Sequence, residues 1–286
     1  MKIPNRIQPL VDDGLVDEVI SRLMSGKEAD VYVVRCGEEI RCAKVYKEAA
    51  KRSFKQAVVY QEGRKVRNSR SQRAMEKGSR YGRRQHEEVW QNTEVDALFK
   101  LAAAGVRVPT PYVCLDGVLL MELITDGEGN VAPRLNDVAL SPEQARADHD
   151  KVIGYVVRML CAGLIHGDLS EFNVLVDDQG PVIIDLPQVV DAAANNQARA
   201  MLVRDVENMR NYYGMYAPDL LATRYAQEMW ALYEEGELTP ETRLSGQFTE
   251  STAAIDLDGV LQEIESAEEE VMARRARARA EQEDQY

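Results

Sequence analysis

The apolar and polar positions of this chain divide it into a strand-rich first part and a helical second part. Near the middle, Val152, Ile153, Val156, Val157 and Leu160 recur at the three-and-four spacing of one helix face, and Gly163 stands where a C-terminal cap is wanted. Two short β-rich runs follow, 173–176 and 182–184, joined by the turn signal DDQG. Upstream, a β-like run from Ile20, a polar turn SGKEAD and a second run to Val34 lead into IRCAKVY, 40–46. Residues 87–104 turn helical, with Val89, Trp90, Val95, Leu98 and Leu101 periodic and Gly105 as the stop. PTPYVCLDGVLLMELI then reads as two strands about Asp116-Gly117, and SPEQARADHD opens the helical half. Leu202, Val206, Met209 and Tyr213 fit a further helix with Asp205 and Arg210 on its polar side, and helix continues over 225–233. Strands first and helices afterwards predict an α+β chain.

Composition narrows the class. A hydrophobic content of 45% is that of an ordinary globular protein, and no apolar run approaches the length of a membrane span. MKIPNRIQPL lacks the apolar core of a signal peptide, and four cysteines without C-x-x-C spacing read as reduced thiols in a cytoplasmic protein. The net charge of −13 argues against a protein coated in nucleic acid, yet it is unevenly placed. Residues 51–84 hold twelve Lys or Arg against two Glu, so this stretch carries +10 and the rest of the chain −23. We read 51–84 as a solvated basic insertion able to contact a phosphate backbone, with Tyr60 and Tyr81 as stacking partners. The expected organisation is an N-terminal helix or turn over 1–19, a smaller lobe over 20–124 that includes the insertion, and a helical lobe over 125–249. An acidic, Arg-rich tail over 250–286 is expected to be helical or disordered.

The chemistry sits in HGDLSEFN, 166–173, and in Asp185 beyond the next hairpin. The pattern places Asp168 in the loop leaving a helix, and Asn173 and Asp185 at the ends of hairpin strands. Phosphoryl transfer needs this set: one Asp to accept or orient the attacking hydroxyl, and an Asn and a second Asp to hold Mg²⁺ on the phosphates. Lys44, amid apolar neighbours after the SGKEAD turn, fits the lysine that meets the phosphates of ATP, although the turn carries only Gly26. Alone, such a lysine is more often a solvated charge on an edge strand. Glu94 is the best candidate for its glutamate partner, with Glu87 and Glu88 competing. Only a short segment separates Asp185 from the helix around Leu202, leaving no room for the activation loop of ordinary protein kinases.

At these residues the chain resembles the RIO family of atypical protein kinases, most closely its first subfamily in a bacterial-type form. The match runs through SGKEADVY (25–32), AKVYK (43–47), WQNTEVDAL (90–98), VPTPY (108–112), APRL (132–135), HGDLSEFNVL (166–175), IIDLPQ (183–188) and RDVEN (204–208). The resemblance implies a two-lobed kinase fold without an activation loop, acting with ATP and Mg²⁺. It implies that Ser25, Gly26 and Lys27 form the phosphate turn, that Lys44 contacts ATP phosphates and that Glu94 pairs with it. Backbone groups of Glu122 and Ile124 would receive adenine at the inter-lobe hinge. Asp168 would accept the proton, Asn173 and Asp185 would ligate the metal, and Asp185 is also a candidate for transient phosphorylation. Met24-Ser25-Gly26 supplies one hydroxyl fewer than the Ser-Thr-Gly of better-known members, and Glu122 replaces a smaller hinge residue.

Two other functions use similar residues. Small-molecule kinases of the aminoglycoside and choline type also carry HGD-x-x-x-x-N and lack the activation segment. An ATP-driven binding switch on a ribosomal or other RNA assembly would use the same site for timing. SGKEADVY, IDLPQ and the basic insertion favour the protein-kinase reading.

Overall fold

A computed structural model describes residues 3–26, 29–47 and 94–249. Lys27, the basic insertion 51–84 and the tail 250–286 lie outside the described residues. Met1–Phe248 forms one compact unit, and Thr249–Tyr286 is a second.

The strand-rich part folds as a five-stranded antiparallel sheet. In chain order its strands are β1 (Glu18–Ser25), β2 (Ala29–Cys36), β3 (Glu39–Tyr46), β4 (Pro111–Leu115) and β5 (Val118–Glu122), arranged β1-β2-β3-β5-β4. β4 and β5 turn at Asp116 and Gly117, both with positive φ (48° and 75°), the backbone that a two-residue hairpin loop requires. β3 is the central strand, so Lys44 is not a solvated edge lysine: it lies in register between Val31 and Leu119 and is 9% exposed. The first helix, α1 (Gln8–Asp12), is no mere lead-in segment. Ile7, Leu10 and Val16 are buried with Val34, Ala43, Val118 and Leu120 in the core of this lobe.

Helical residues 94–103 (α2) follow and contribute Ala97, Leu98 and Leu101 to a larger core shared with the second lobe. That core is organised by α3 (Pro142–Cys161), α4 (Ala198–Gly214) and α5 (Tyr225–Glu234). α3 starts where Ser141 accepts a hydrogen bond from the Gln144 amide (3.2 Å) and Pro142 occupies the first turn, and Gly163 (φ 73°) closes it. Its predicted apolar face, Val152 to Leu160, is buried. Two small two-stranded sheets complete the lobe: β6 (Leu164–Ile165) with β9 (Val190–Asp191), and the hairpin of β7 (Val174–Asp177) with β8 (Gly180–Ile183). One expectation fails. Asp205 does not lie on a polar face of α4; it is 1% exposed, turned inward to accept backbone amides.

Candidate active site

Lys44 projects from β3 into a knot of charges. Its Nζ lies 2.6 Å from Glu94 Oε1 and 3.0 Å from Asp185 Oδ1. Glu94 is 2% exposed, and its second oxygen accepts the Tyr46 hydroxyl at 2.6 Å. Both acceptors of this buried carboxylate are therefore satisfied by one strand, from residues two apart on the same face. Burial alone would lower the Lys44 pKa, but Glu94 and Asp185 beside it hold it above the ordinary lysine range. Asp185 responds in the opposite sense: burial opposes its charge, yet Lys44 keeps its carboxyl below the usual range. Its side chain is 46% exposed, so this charged end of the network is open to a ligand.

The loop 166–173 is built from below. Asp205 on α4 accepts the Gly167 amide (2.7 Å) and the Leu169 amide (3.1 Å), while Asn208 one turn later donates to the Leu169 carbonyl (3.0 Å). Burial pushes Asp205 up to about 6. His166, also buried, receives the Asp168 amide on Nδ1 (3.2 Å), and its Nε2 faces the Ile184 carbonyl (3.1 Å). These partners assign the proton to Nε2 and tie the loop to the segment that delivers Asp185. Asn173 donates to the Asp168 carbonyl (2.8 Å), and its own carbonyl accepts the Ile184 amide (3.0 Å). With its NH₂ so engaged, its Oδ1 is the group left for a ligand. Asp185 then adopts φ 66°, a conformation uncommon outside glycine, and such backbone concentrates at functional sites. Asp168 stands apart from the Lys44 knot: its Oδ2 accepts Gln188 Nε2 at 3.1 Å, and burial raises its pKa.

At the inter-lobe connection, Ile124 accepts the Ala132 amide (3.0 Å), and its own N–H has no backbone acceptor among the described residues. The Glu122 side chain is held elsewhere, by Arg107 (2.8 and 2.9 Å) and Thr110 (3.0 Å), so only its backbone is offered to a ligand. In the turn after β1, Gly26 donates to the Ala29 carbonyl (2.9 Å), while Lys47 grips the Gly26 carbonyl (2.6 Å) and pairs with Asp30 (3.1 Å). Ser25 donates to Asp30, leaving one hydroxyl at this turn already engaged. Sequence reasoning missed Gln188, Asp205, Tyr46 and Arg107 as parts of the site. IDLPQ, RDVEN and AKVYK carried three of them within motifs, without indicating what they touch.

Residues 30–226 match the family model described as the RIO domain. The chain belongs to the RIO family. Curated RIO relatives include the RIO-type serine/threonine-protein kinase Rio1 of Haloferax volcanii, 34% identical over 74% of this chain and 69% of its own length. Human serine/threonine-protein kinase RIO1 is 30% identical over 80% of this chain and 38% of its own length. This chain thus spans little more than a third of the human RIO protein. Among solved structures, the Rio2 kinase of Chaetomium thermophilum as an ADP/Mg²⁺-phosphoaspartate complex superposes with a TM-score of 0.52 at 23% identity. That alignment covers 73% of this chain and 59% of the other, and it establishes a shared RIO kinase fold.

Proposed function

We propose that this chain is an ATP- and Mg²⁺-dependent serine/threonine-type protein kinase that also hydrolyses ATP and labels itself. The observation that supports this best is the division of labour among acids. Asp185 is drawn to Lys44, which Glu94 also pairs, whereas Asp168 stands outside that network with a raised pKa. Lys44 would meet the phosphate chain, kept charged and aimed by Glu94. The phosphate turn Ser25–Gly26 with Lys27 would cover the phosphates, and the Glu122 carbonyl and Ile124 N–H would receive adenine. Asp168 would take the proton from the attacking hydroxyl as its oxygen bonds to the γ-phosphorus and the β–γ bridging bond breaks.

Asp185 and the Oδ1 of Asn173 are hard oxygen donors that fit Mg²⁺. When bound, the ion would neutralise charge on the phosphates. Both residues flank the β7–β8 hairpin, which would bear on the phosphates rather than on the acceptor. The lobes as bounded above, 20–124 and 125–249, would close on the nucleotide between them.

The protein acceptor is the less developed half of the site. Only Leu186–Gln197 separates Asp185 from α4, and part of that stretch is taken up by β9 pairing with β6. An extended peptide would find little to dock on there. Water, a serine of this chain (Ser53, Ser69, Ser71 or Ser79) or the Asp185 carboxylate is then the favoured recipient. Incubation with labelled ATP and Mg²⁺, with and without casein, tests this. Self-labelling and hydrolysis are expected to exceed transfer to casein, and hydroxylamine distinguishes an acyl phosphate from phosphoserine. Fast, saturable transfer to short generic peptides would show that a peptide groove exists.

Two finer proposals rest on sequence. The basic stretch 51–84 would contact RNA, as a ribosomal or other RNA partner requires, and the protein would act in the cytoplasm. No helix among the described residues is long and apolar enough to cross a membrane. RNA binding through this stretch should weaken with a log–log salt slope of about −0.7 per contacted phosphate on single strands. An RNA titration that shows no binding at low salt removes the partner.

A further inference from the structure

Arg107 lies outside every motif that carries phosphotransfer chemistry, yet two elements meet on it. It is the fourth residue beyond the end of α2, the helix whose other end presents Glu94. Its guanidinium is bidentate to Glu122 at the end of β5 (2.8 and 2.9 Å), and the same Nη2 reaches Asp177 Oδ2 at the tip of the β7–β8 hairpin (3.1 Å). Its carbonyl accepts the Ile183 amide on the opposite strand of that hairpin (2.9 Å). Asp177 in turn fixes the hairpin turn, its other oxygen accepting the amides of Gln179 (2.8 Å) and Gly180 (2.9 Å). The hairpin begins just after Asn173 and ends just before Asp185.

We infer that Arg107 is a positioning residue that sets the adenine-receiving hinge and the metal-bearing hairpin at one fixed spacing. The inference rests on the phosphotransferase reading above. A bound nucleotide would span both elements, with its base at the hinge, its phosphates near Lys44 and the metal held by Asn173 and Asp185. Binding energy from the base can then be used at the phosphates only when those sites keep their separation. A planar guanidinium with a fork on one carboxylate and a spare donor for another holds that separation better than a lysine would. The interaction is half-buried and joins residues 70 apart in sequence, so it is no local helix pair. Removing it would also take away the cation that Glu122 and Asp177 share.

The test compares binding of Mg·ATP and of Mg·tripolyphosphate, which lacks the base, to the full-length chain and to Arg107→Met, Arg107→Lys and Asp177→Asn. Turnover and thermal midpoint are measured alongside. For Arg107→Met the preference for ATP over tripolyphosphate is expected to fall about tenfold, and turnover about 100-fold, the scale of an ångström-sized misplacement. Tripolyphosphate affinity itself should hold, and Arg107→Lys should recover only part of the loss. Asp177→Asn cuts the hairpin arm alone; it guards against an unfolded Arg107 variant and should shift the preference in the same direction. Folded variants with an unchanged preference would overturn the positioning role while leaving the kinase reading in place. A wild-type protein that binds tripolyphosphate as tightly as ATP would instead overturn the reading on which the role rests.

Discussion

Asp168→Ala is expected to lower turnover by about 10²–10⁴-fold, the usual contribution of a positioned base, while Mg·ATP affinity stays near that of the wild type. The expectation follows from where its carboxylate points. Asp185 is bound up with Lys44 at 3.0 Å, whereas Asp168 is held by Gln188 and takes no part in the ion pairs that would meet the phosphates. Asn173→Ala and Asp185→Ala should behave in reverse, weakening Mg·ATP binding first. Burial raises the Asp168 pKa, so its charged form is lost on acidification sooner than for an ordinary aspartate. The acid limb of kcat/KM should therefore lie above the usual carboxylate range, and it should move down in Gln188→Arg, whose cation would favour the charged base. An Asp168→Ala protein with full turnover would remove the base from this loop.

The second large effect is on stability and activity together. Glu94→Ala removes a carboxylate that is 2% exposed, strips Lys44 of its nearest counter-charge and leaves the Tyr46 hydroxyl without its acceptor. Breaking a buried pair in this way costs about 3–5 kcal/mol, because the surviving charge stays in a poorly solvating place. Lys44→Met leaves Glu94 in the same position and should cost a similar amount. The double variant Lys44→Met/Glu94→Leu should regain much of the loss, since an apolar pair of similar volume replaces an ionic one. None of the three should catalyse transfer at more than about 1% of the wild-type rate, given what a single phosphate-stabilising donor contributes. Denaturant midpoints and turnover on the same samples decide the matter: a double variant less stable than both single ones would show that the pair is not isolated in this way.

Local pattern made some of this legible and tertiary contact made the rest. The helix of Val152 to Leu160, its Gly163 cap and the two strands about DDQG depend on spacing alone, and they form as the sequence predicts. The loop HGDLSEFN follows from them, because a helix end and a hairpin start fix where Asp168 and Asn173 emerge. Lys44 was ambiguous since strand order is not a local property; it becomes buried only because β3 ends up between β2 and β5. Glu94 was one of three glutamates until its helix delivered it 2.6 Å from Lys44. Asp205 was misplaced for a physical reason. A carboxylate in a helical pattern is ordinarily solvated, and backbone amides from a loop nearly forty residues upstream help make its burial tolerable. Gln188 and Arg107 act through partners 20 and 70 residues away, beyond any periodicity.

The short helix at the start of the chain matters for how this protein is handled in the laboratory. Arg6 donates to the Tyr46 carbonyl at 2.6 Å, and Tyr46 in turn holds Glu94. Ile7 and Leu10 are fully enclosed, and each is worth about 1.5–3 kcal/mol of burial. A trimmed version starting at β1 would look tidy on paper, since β1 opens the sheet. It would uncover the outer side of the small lobe and release the residue that steadies the lysine–glutamate pair. An inactive trimmed protein would then report a missing buttress rather than a missing activity, and purification handles are better attached where they leave Arg6 to Leu10 in place.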